Sequence, residues 1–150
     1  MKSLFETEAH NEITTRINNL TEASKAEWGK MNVGQMLTHC QKPFDVINGD
    51  LKMEAKIGFM KKFIFSLMKS VMYNDRPWRK NIPTGEGFVI TEQVDFNPER
   101  EKLLNLVNEF SKKKNQTKWA PHPVFGKFTQ EQYGKMNYKH LDHHLKQFGA

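Results

Sequence analysis

Apolar residues recur at intervals of three and four positions in five segments of the chain, and this spacing constrains the fold more than any other feature of the sequence. In the second segment, for example, a single stripe contains Val33, Met36, Leu37, Cys40, Phe44 and Ile47. Such a period matches the α-helix, which buries one face against its neighbours. A chain of 150 residues is also the size of one domain. We therefore predict an all-α fold in a single domain over residues 1–150.

Residues typical of helix ends mark the predicted boundaries. Ser3 with Glu6, Asn32 with Gln35, and Thr129 with Gln132 have the spacing of a capping box, in which each residue satisfies a free backbone donor of the other. The fourth helix is predicted to begin at Asn97 as the cap, with Pro98 in the first helical position. The predicted helices are Ser3–Leu20, Asn32–Asn48, about Lys56–Tyr73, one from Asn97 that includes Phe110, and Thr129–Phe148.

The third predicted helix is apolar around most of its circumference. Its central stripe comprises Ile57, Met60, Ile64, Leu67, Met68 and Val71, and Phe59, Phe63 and Phe65 widen it. A helix of this kind is predicted to be buried on two sides. We likewise interpret seven methionines as core residues: Met31, Met36, Met53, Met60, Met68, Met72 and Met136. Residues 74–96 form a long irregular connection, predicted to be functional or packed over the core.

The charge and the cysteine content exclude some partners and favour one compartment. The net charge is +6 and is spread along the chain, and the tight basic runs at 61–62 and 112–114 are not interleaved with aromatic residues that would stack on bases. We interpret the charge as solvated helix faces and expect no nucleic-acid partner. We also expect no stable membrane insertion, because Ile57–Met72 is short and interrupted by lysines. A lone cysteine, Cys40, and an acidic start to the chain favour the cytoplasm.

Histidines carry the strongest chemical signal. His140 and His144 are one helical turn apart, so both imidazoles can reach one metal ion. His39 lies beside the apolar stripe of the second helix and can supply a third ligand from the same interior. Three neutral ligands with an open position are typical of a catalytic site. Spacing alone leaves open that the pair is only a core or surface feature.

The other histidines and the cysteine have plainer interpretations. His143 points about one hundred degrees away from His144, so it is predicted to be exposed or to support the ligands, with direct ligation as the alternative. His10 is predicted to lie on the surface. His122 could reach a pocket, but structural hydrogen bonding is favoured. Cys40 is predicted to be a small buried apolar residue, because successive helix positions diverge too far for a Cys–His pair with His39.

Three stretches resemble the DinB/YfiT-like superfamily, in particular its small branch of uncharacterised bacterial proteins. They are WGKMNVGQMLTHC at 28–40, HPVFGK at 122–127 and HLDHHLKQF at 140–148. The resemblance implies an antiparallel four-helix bundle with a long connection between the third and fourth helical segments. It also implies that a divalent metal, with zinc, nickel and iron all compatible, is bound by His39, His140 and His144.

The resemblance further implies a function. Characterised relatives include transferases that attach low-molecular-weight thiols such as bacillithiol to electrophiles. The prediction is therefore a metal-dependent enzyme with a small-molecule substrate, a thiol S-transferase being one candidate activity. The alternative is a helical bundle that binds metal or a small ligand without turnover. A homodimer is plausible because wide apolar helices and small bundles often associate.

Overall fold

The fold is all-α, as the periodicity predicts. The computed structural model describes residues 1–51 and 58–150, and within these ranges it contains five α-helices and no β-strand. The helices are α1 (Thr7–Asn19), α2 (Val33–Asn48), α3 (Phe59–Met68), α4 (Phe96–Lys112) and α5 (Gln130–Gln147). None of the described helices is long and apolar enough to span a membrane.

Four of the helices share the main hydrophobic core. Helix α2 packs against α4 and α5, and α1 packs against the same two helices from another side. Ile13, Leu37, Leu103 and Leu141 contribute side chains that are at most 1% exposed. Full burial of one such side chain contributes about 1.5–3 kcal/mol before entropic costs. The core therefore fixes the relative positions of α2 and α5, the helices that carry the predicted site.

The predicted capping boxes of α2 and α5 are confirmed. The Asn32 side chain accepts a hydrogen bond from the Gln35 backbone N–H at 2.8 Å, and the Gln35 side chain accepts one from the Asn32 N–H at 3.0 Å. Thr129 and Gln132 form the same reciprocal pair at the start of α5. These caps define where each helix begins, and the apolar period along it determines the face that packs on the core.

The predicted starts of α1 and α4 are wrong. Helix α1 begins at Thr7, and the Ser3 hydroxyl accepts from the Phe5 backbone N–H at 3.3 Å instead of capping a helix. The turn before α1 places Leu4 and Phe5 in the core, which outweighs the local capping signal. Helix α4 begins at Phe96, before the predicted cap Asn97, and Phe96 itself is buried.

Helix α3 differs most from its prediction. Its beginning was predicted at Lys56, and that residue, Ile57 and Met53 lie outside the described residues. Within the described part the apolar stripe faces solvent, so the predicted burial on two sides is wrong. The exposed members are Met60 (71%), Phe63 (55%), Ile64 (48%), Leu67 (68%), Met68 (53%) and Val71 (44%). The helix contacts the rest of the chain from another side, where the Phe65 ring lies 6.0 Å from that of Phe125.

The interpretation of the methionines as core residues holds for only part of the set. Met36 and Met136 are buried, and Met31 and Met72 pack partly against the core. Met60 and Met68 are exposed, which contradicts the interpretation for these two.

The long connection between α3 and α4 is irregular, as predicted. Apart from the 3₁₀ turns at Lys69–Met72 and Glu86–Phe88, it has no regular helix. Its Phe88 carbonyl lies beside His39 of α2, and its Trp78 ring lies beside His140 of α5. The connection therefore belongs to the site and is not a slack loop.

Candidate metal centre

Three histidines from two helices converge in the structure. His39 comes from α2, and His140 and His144 lie one turn apart on α5. The ring centroids are 5.0 Å apart for His39–His140, 4.6 Å for His39–His144 and 4.8 Å for His140–His144. One ring nitrogen of each can be chosen so that all three lie within 4.8 Å of one another. The sequence named the same three residues, and no carboxylate joins the group in the part of the chain that the structure describes.

Two of the three imidazoles are held in one tautomer by groups outside the cluster. The Nδ1 atom of His39 lies 2.9 Å from the backbone carbonyl oxygen of Phe88. A carbonyl only accepts, so Nδ1 carries the proton and Nε2 keeps its lone pair. The Nδ1 atom of His144 lies 2.8 Å from the side-chain oxygen of Gln147 and donates in the same way. Ligating histidines in metal sites characteristically have such partners, which fix the ring and its tautomer.

The amide of Gln147 is itself held in place. Its nitrogen donates to the backbone carbonyl of Trp28 at 2.6 Å, which leaves its oxygen to face His144. The chain can pass this closely because Gly29 adopts a φ of +88°, and a Cβ at that position would collide with the Gln147 amide. The loop before α2 therefore holds the Gln147 amide in the position where it accepts from His144.

The nitrogens that face inward have the spacing of a shared ion. His39 Nε2 and His140 Nε2 are 3.1 Å apart. Two ligands at ~2.0–2.1 Å from a tetrahedral zinc lie roughly 3.3 Å from each other. Because His39 Nε2 is an acceptor only, the close approach requires either a proton on His140 Nε2 or a cation between the two atoms. The donor set therefore fits a divalent metal.

Burial keeps the cluster in the form that binds metal. Desolvation lowers the pKa of His39, and it lowers that of His140 well below its usual value. For His144 the same cause lowers the pKa to about 3. Neighbouring histidines add to the shift at His140 and His144, because two charged rings would repel each other. A lowered pKa favours the neutral ring, which is the form of histidine that ligates a metal.

Trp78 and the buried Lys139 lie beside the cluster, and the sequence interpretation missed both. The Trp78 ring lies 6.0 Å from that of His140, and its indole N–H donates to the Val71 carbonyl at 2.9 Å. The Lys139 ammonium donates to the same carbonyl at 2.7 Å and to two oxygens of Asn74 at 2.8 and 3.0 Å. Lys139 thus ties the connection to α5 and holds Trp78 over His140.

The remaining predicted residues lie outside the convergent group. The His143 ring lies 5.9 Å from Trp28 and 5.7 Å from Trp78, so it borders the site from the side. His122 Nδ1 accepts from two backbone N–H groups of its own turn, and burial lowers its pKa to about 4. This is the structural hydrogen bonding favoured from the sequence.

His10 and Cys40 also have ordinary structural surroundings. His10 Nε2 lies 2.8 Å from the side-chain oxygen of Asn108, in a contact between α1 and α4. Cys40 is buried with its Sγ 3.6 Å from the sulfur of Met36, and burial raises the pKa of its thiol. A neutral thiol in this position is a packing residue, as predicted.

Signals for the missed residues differ in kind. Gln147 stands three positions after His144 on α5, so helical spacing alone could have placed it beside that histidine. Phe88 contributes a backbone carbonyl, which every residue has, so no sequence pattern marks it. The tryptophans lie in irregular segments, where no helical period indicates which way a side chain points.

The comparisons with known proteins give a family. Residues 2–150 match the family described as "Protein of unknown function (DUF1569)". No curated protein and no solved structure matches the chain.

Proposed function

The chain belongs to the DUF1569 family, and from the geometry of its histidine cluster we propose that it binds a divalent metal ion through His39, His140 and His144. One observation carries the proposal: separate partners lock His39 and His144 with their Nε2 lone pairs free. The buried structural histidine His122 also has a fixed tautomer, but its Nδ1 is used within its own turn, whereas the three clustered histidines each bring a ring nitrogen within 4.8 Å of the other two. Zinc, nickel and iron all accept imidazole ligands.

We propose further that the domain over residues 1–150 is a DinB/YfiT-like antiparallel four-helix bundle. The pairwise packing of α1, α2, α4 and α5 supports this, as do the two cap-defined helices that carry the histidines. The long connection would then be the addition that closes one end of the bundle. The single, buried cysteine fits a reducing cytoplasm.

The activity that this site favours is metal-dependent transfer of a low-molecular-weight thiol, such as bacillithiol, to an electrophile. A divalent ion held by three neutral histidines lowers the pKa of a thiol or water bound beside it. The protein residues would hold and orient that ion, and Trp78 and His143 would shield it from bulk water. The second candidate is a bundle that binds metal or a small ligand without turnover. The observation in its favour is that no carboxylate joins the described cluster to act as a general acid or base.

The test of metal binding is elemental analysis by plasma mass spectrometry. Untagged protein, purified without a nickel column, is compared with the triple variant His39→Ala/His140→Ala/His144→Ala, before and after zinc, nickel or iron is added back. We expect close to one ion per chain in the wild type and none in the variant. An empty wild type after reconstitution would refute the metal site.

A matched pair of single variants tests the choice of ligands. His144→Ala should release most of the metal, whereas the neighbouring change His143→Ala should retain it. The reverse result would place the ligand face on the other side of α5. Activity is measured separately, by conjugation of bacillithiol, coenzyme A or glutathione to monochlorobimane; failure with all three, in metal-loaded protein, would favour the bundle without turnover.

A further inference from the structure

A cleft beside the histidine cluster has the size of a small-molecule site. Its volume is about 580 Å³, and its walls come from the loop before α2, the 81–91 part of the connection, and α5. Small-molecule pockets typically measure about 300–1,000 Å³. His144 and Gln147 both line the cleft. A molecule bound there would therefore touch a proposed metal ligand and the residue that holds it.

The outer walls of the cleft expose large apolar side chains to solvent. Ile82 is 50% exposed and Val89 is 53% exposed, and both line the cleft. Trp28 and Phe88 continue the apolar surface inward toward the histidines. Single exposed apolar residues are common on protein surfaces. Two of them at the border of one cavity indicate a surface that binds a ligand. Their unburied area would be removed from water by an apolar ligand.

The charges around the cleft select against a cation. Among the described side chains that line it none is acidic, and Lys30 is a cationic member of the wall. The Lys80 ammonium lies 4.2 Å from the centroid of the Trp28 ring, which is shared between this cleft and a neighbouring pocket. A positively charged ligand in the cleft would meet Lys30 in the wall, with Lys80 on the other side of Trp28, and would find no carboxylate among the described lining residues.

We propose that this cleft binds an apolar small molecule that carries no positive charge, and that this molecule is the substrate class of the histidine centre. The identification as substrate rests on the proposed function, whereas the binding itself does not. The ligand would lie between Ile82 and Val89 at the outer end, with His144 at the inner end.

The test measures binding of the neutral fluorescent probe N-phenyl-1-naphthylamine, which needs neither metal nor turnover. We expect saturable binding to the wild type, and at least a tenfold rise in Kd for Ile82→Ser/Val89→Ser. The control variant is Met60→Ser/Leu67→Ser, which removes two apolar side chains of α3 that are even more exposed, at 71% and 68%, and should leave Kd unchanged. All the substituted residues are exposed, so both variants should fold, which circular dichroism checks.

A pair of competitors of the same shape tests the charge requirement. 1-Naphthylmethanol should displace the probe, and 1-naphthylmethylammonium should do so at least tenfold less well. No binding to the wild type, loss of binding in the α3 control instead of the cleft variant, or equal competition by the cation would each overturn the proposal. The metal content of the same samples is measured in parallel. Probe binding without metal would refute only the proposed function, and metal binding without probe binding would refute only the cleft.

Discussion

Replacement of Gln147 by leucine tests whether the support of His144 matters for metal binding. Gln147 is 3% exposed, and its amide links the Nδ1–H of His144 to the carbonyl of Trp28. Leucine has a similar volume and helix propensity, but it can neither accept nor donate. The imidazole of His144 would then be free to rotate and to change tautomer.

The expected loss follows from both broken bonds. Removal of the partner of a metal-ligating histidine costs 10–100-fold in affinity, which corresponds to about 1.4–2.7 kcal/mol. We therefore expect the metal Kd of Gln147→Leu to rise by one to two orders of magnitude. The Nδ1–H of His144 and the carbonyl of Trp28 would also lose a buried partner each, at roughly 1–3 kcal/mol per group, so the metal-free variant should be less stable.

Gln147→Glu is the matched control. A carboxylate still accepts from His144 Nδ1–H, and its negative charge favours a bound cation, although it no longer donates to Trp28. Metal affinity of this variant should equal or exceed that of the wild type. Affinity is measured by competition with a chromophoric chelator, and stability by urea unfolding of the metal-free proteins. Wild-type affinity in Gln147→Leu, or equal weakening in both variants, would refute the positioning role.

Three further predictions concern stability, and urea unfolding of metal-free protein measures each. Because the pKa of His122 is lowered from 6.5 to about 4 in the folded state, its stabilising contribution is complete above pH 6.5 and is lost as the pH falls toward 4. His122→Asn, whose side chain can still accept from the turn, should reduce this pH dependence by up to about 1.4 kcal/mol per pH unit; an unchanged slope would contradict it. Met60→Ser/Leu67→Ser should change the free energy of unfolding by less than ~0.5 kcal/mol, because both side chains are exposed. Leu103→Ala in the core should cost about 2–5 kcal/mol. A loss in the α3 variant comparable to that of Leu103→Ala would show that α3 is covered in solution. Lys139→Met should cost about 2–3 kcal/mol because three oxygens lose a charged donor, and a neutral result would show that this lysine does not tie the connection to α5.

Periodicity and capping predicted the helices well where both signals come from the same residues. The start of α5 at Thr129 is an example, because the local capping box and the core-facing stripe agree there. At Ser3 the two signals conflict, and burial of Leu4 and Phe5 outweighs the cap. Helix α3 shows a different limit. An apolar stripe indicates that a face can be buried, but not which partner covers it, so its exposure could not be derived from the pattern.

The three histidines could be predicted from the sequence, but the groups that fix the tautomers of His39 and His144 could not. His140 and His144 share a helix, so their relation follows from its geometry, and His39 needed only the assumption that α2 faces the same interior. What distinguishes the cluster from three buried packing residues is the direction of its lone pairs. That direction is set by the Phe88 carbonyl and by the amide of Gln147, which Trp28 orients in turn. Two of these three groups are backbone atoms in irregular segments, and their chemistry does not depend on the residue that carries them. The sequence can therefore locate a candidate metal centre of this kind on its helices, but only the folded chain reveals whether the histidine nitrogens are free to bind.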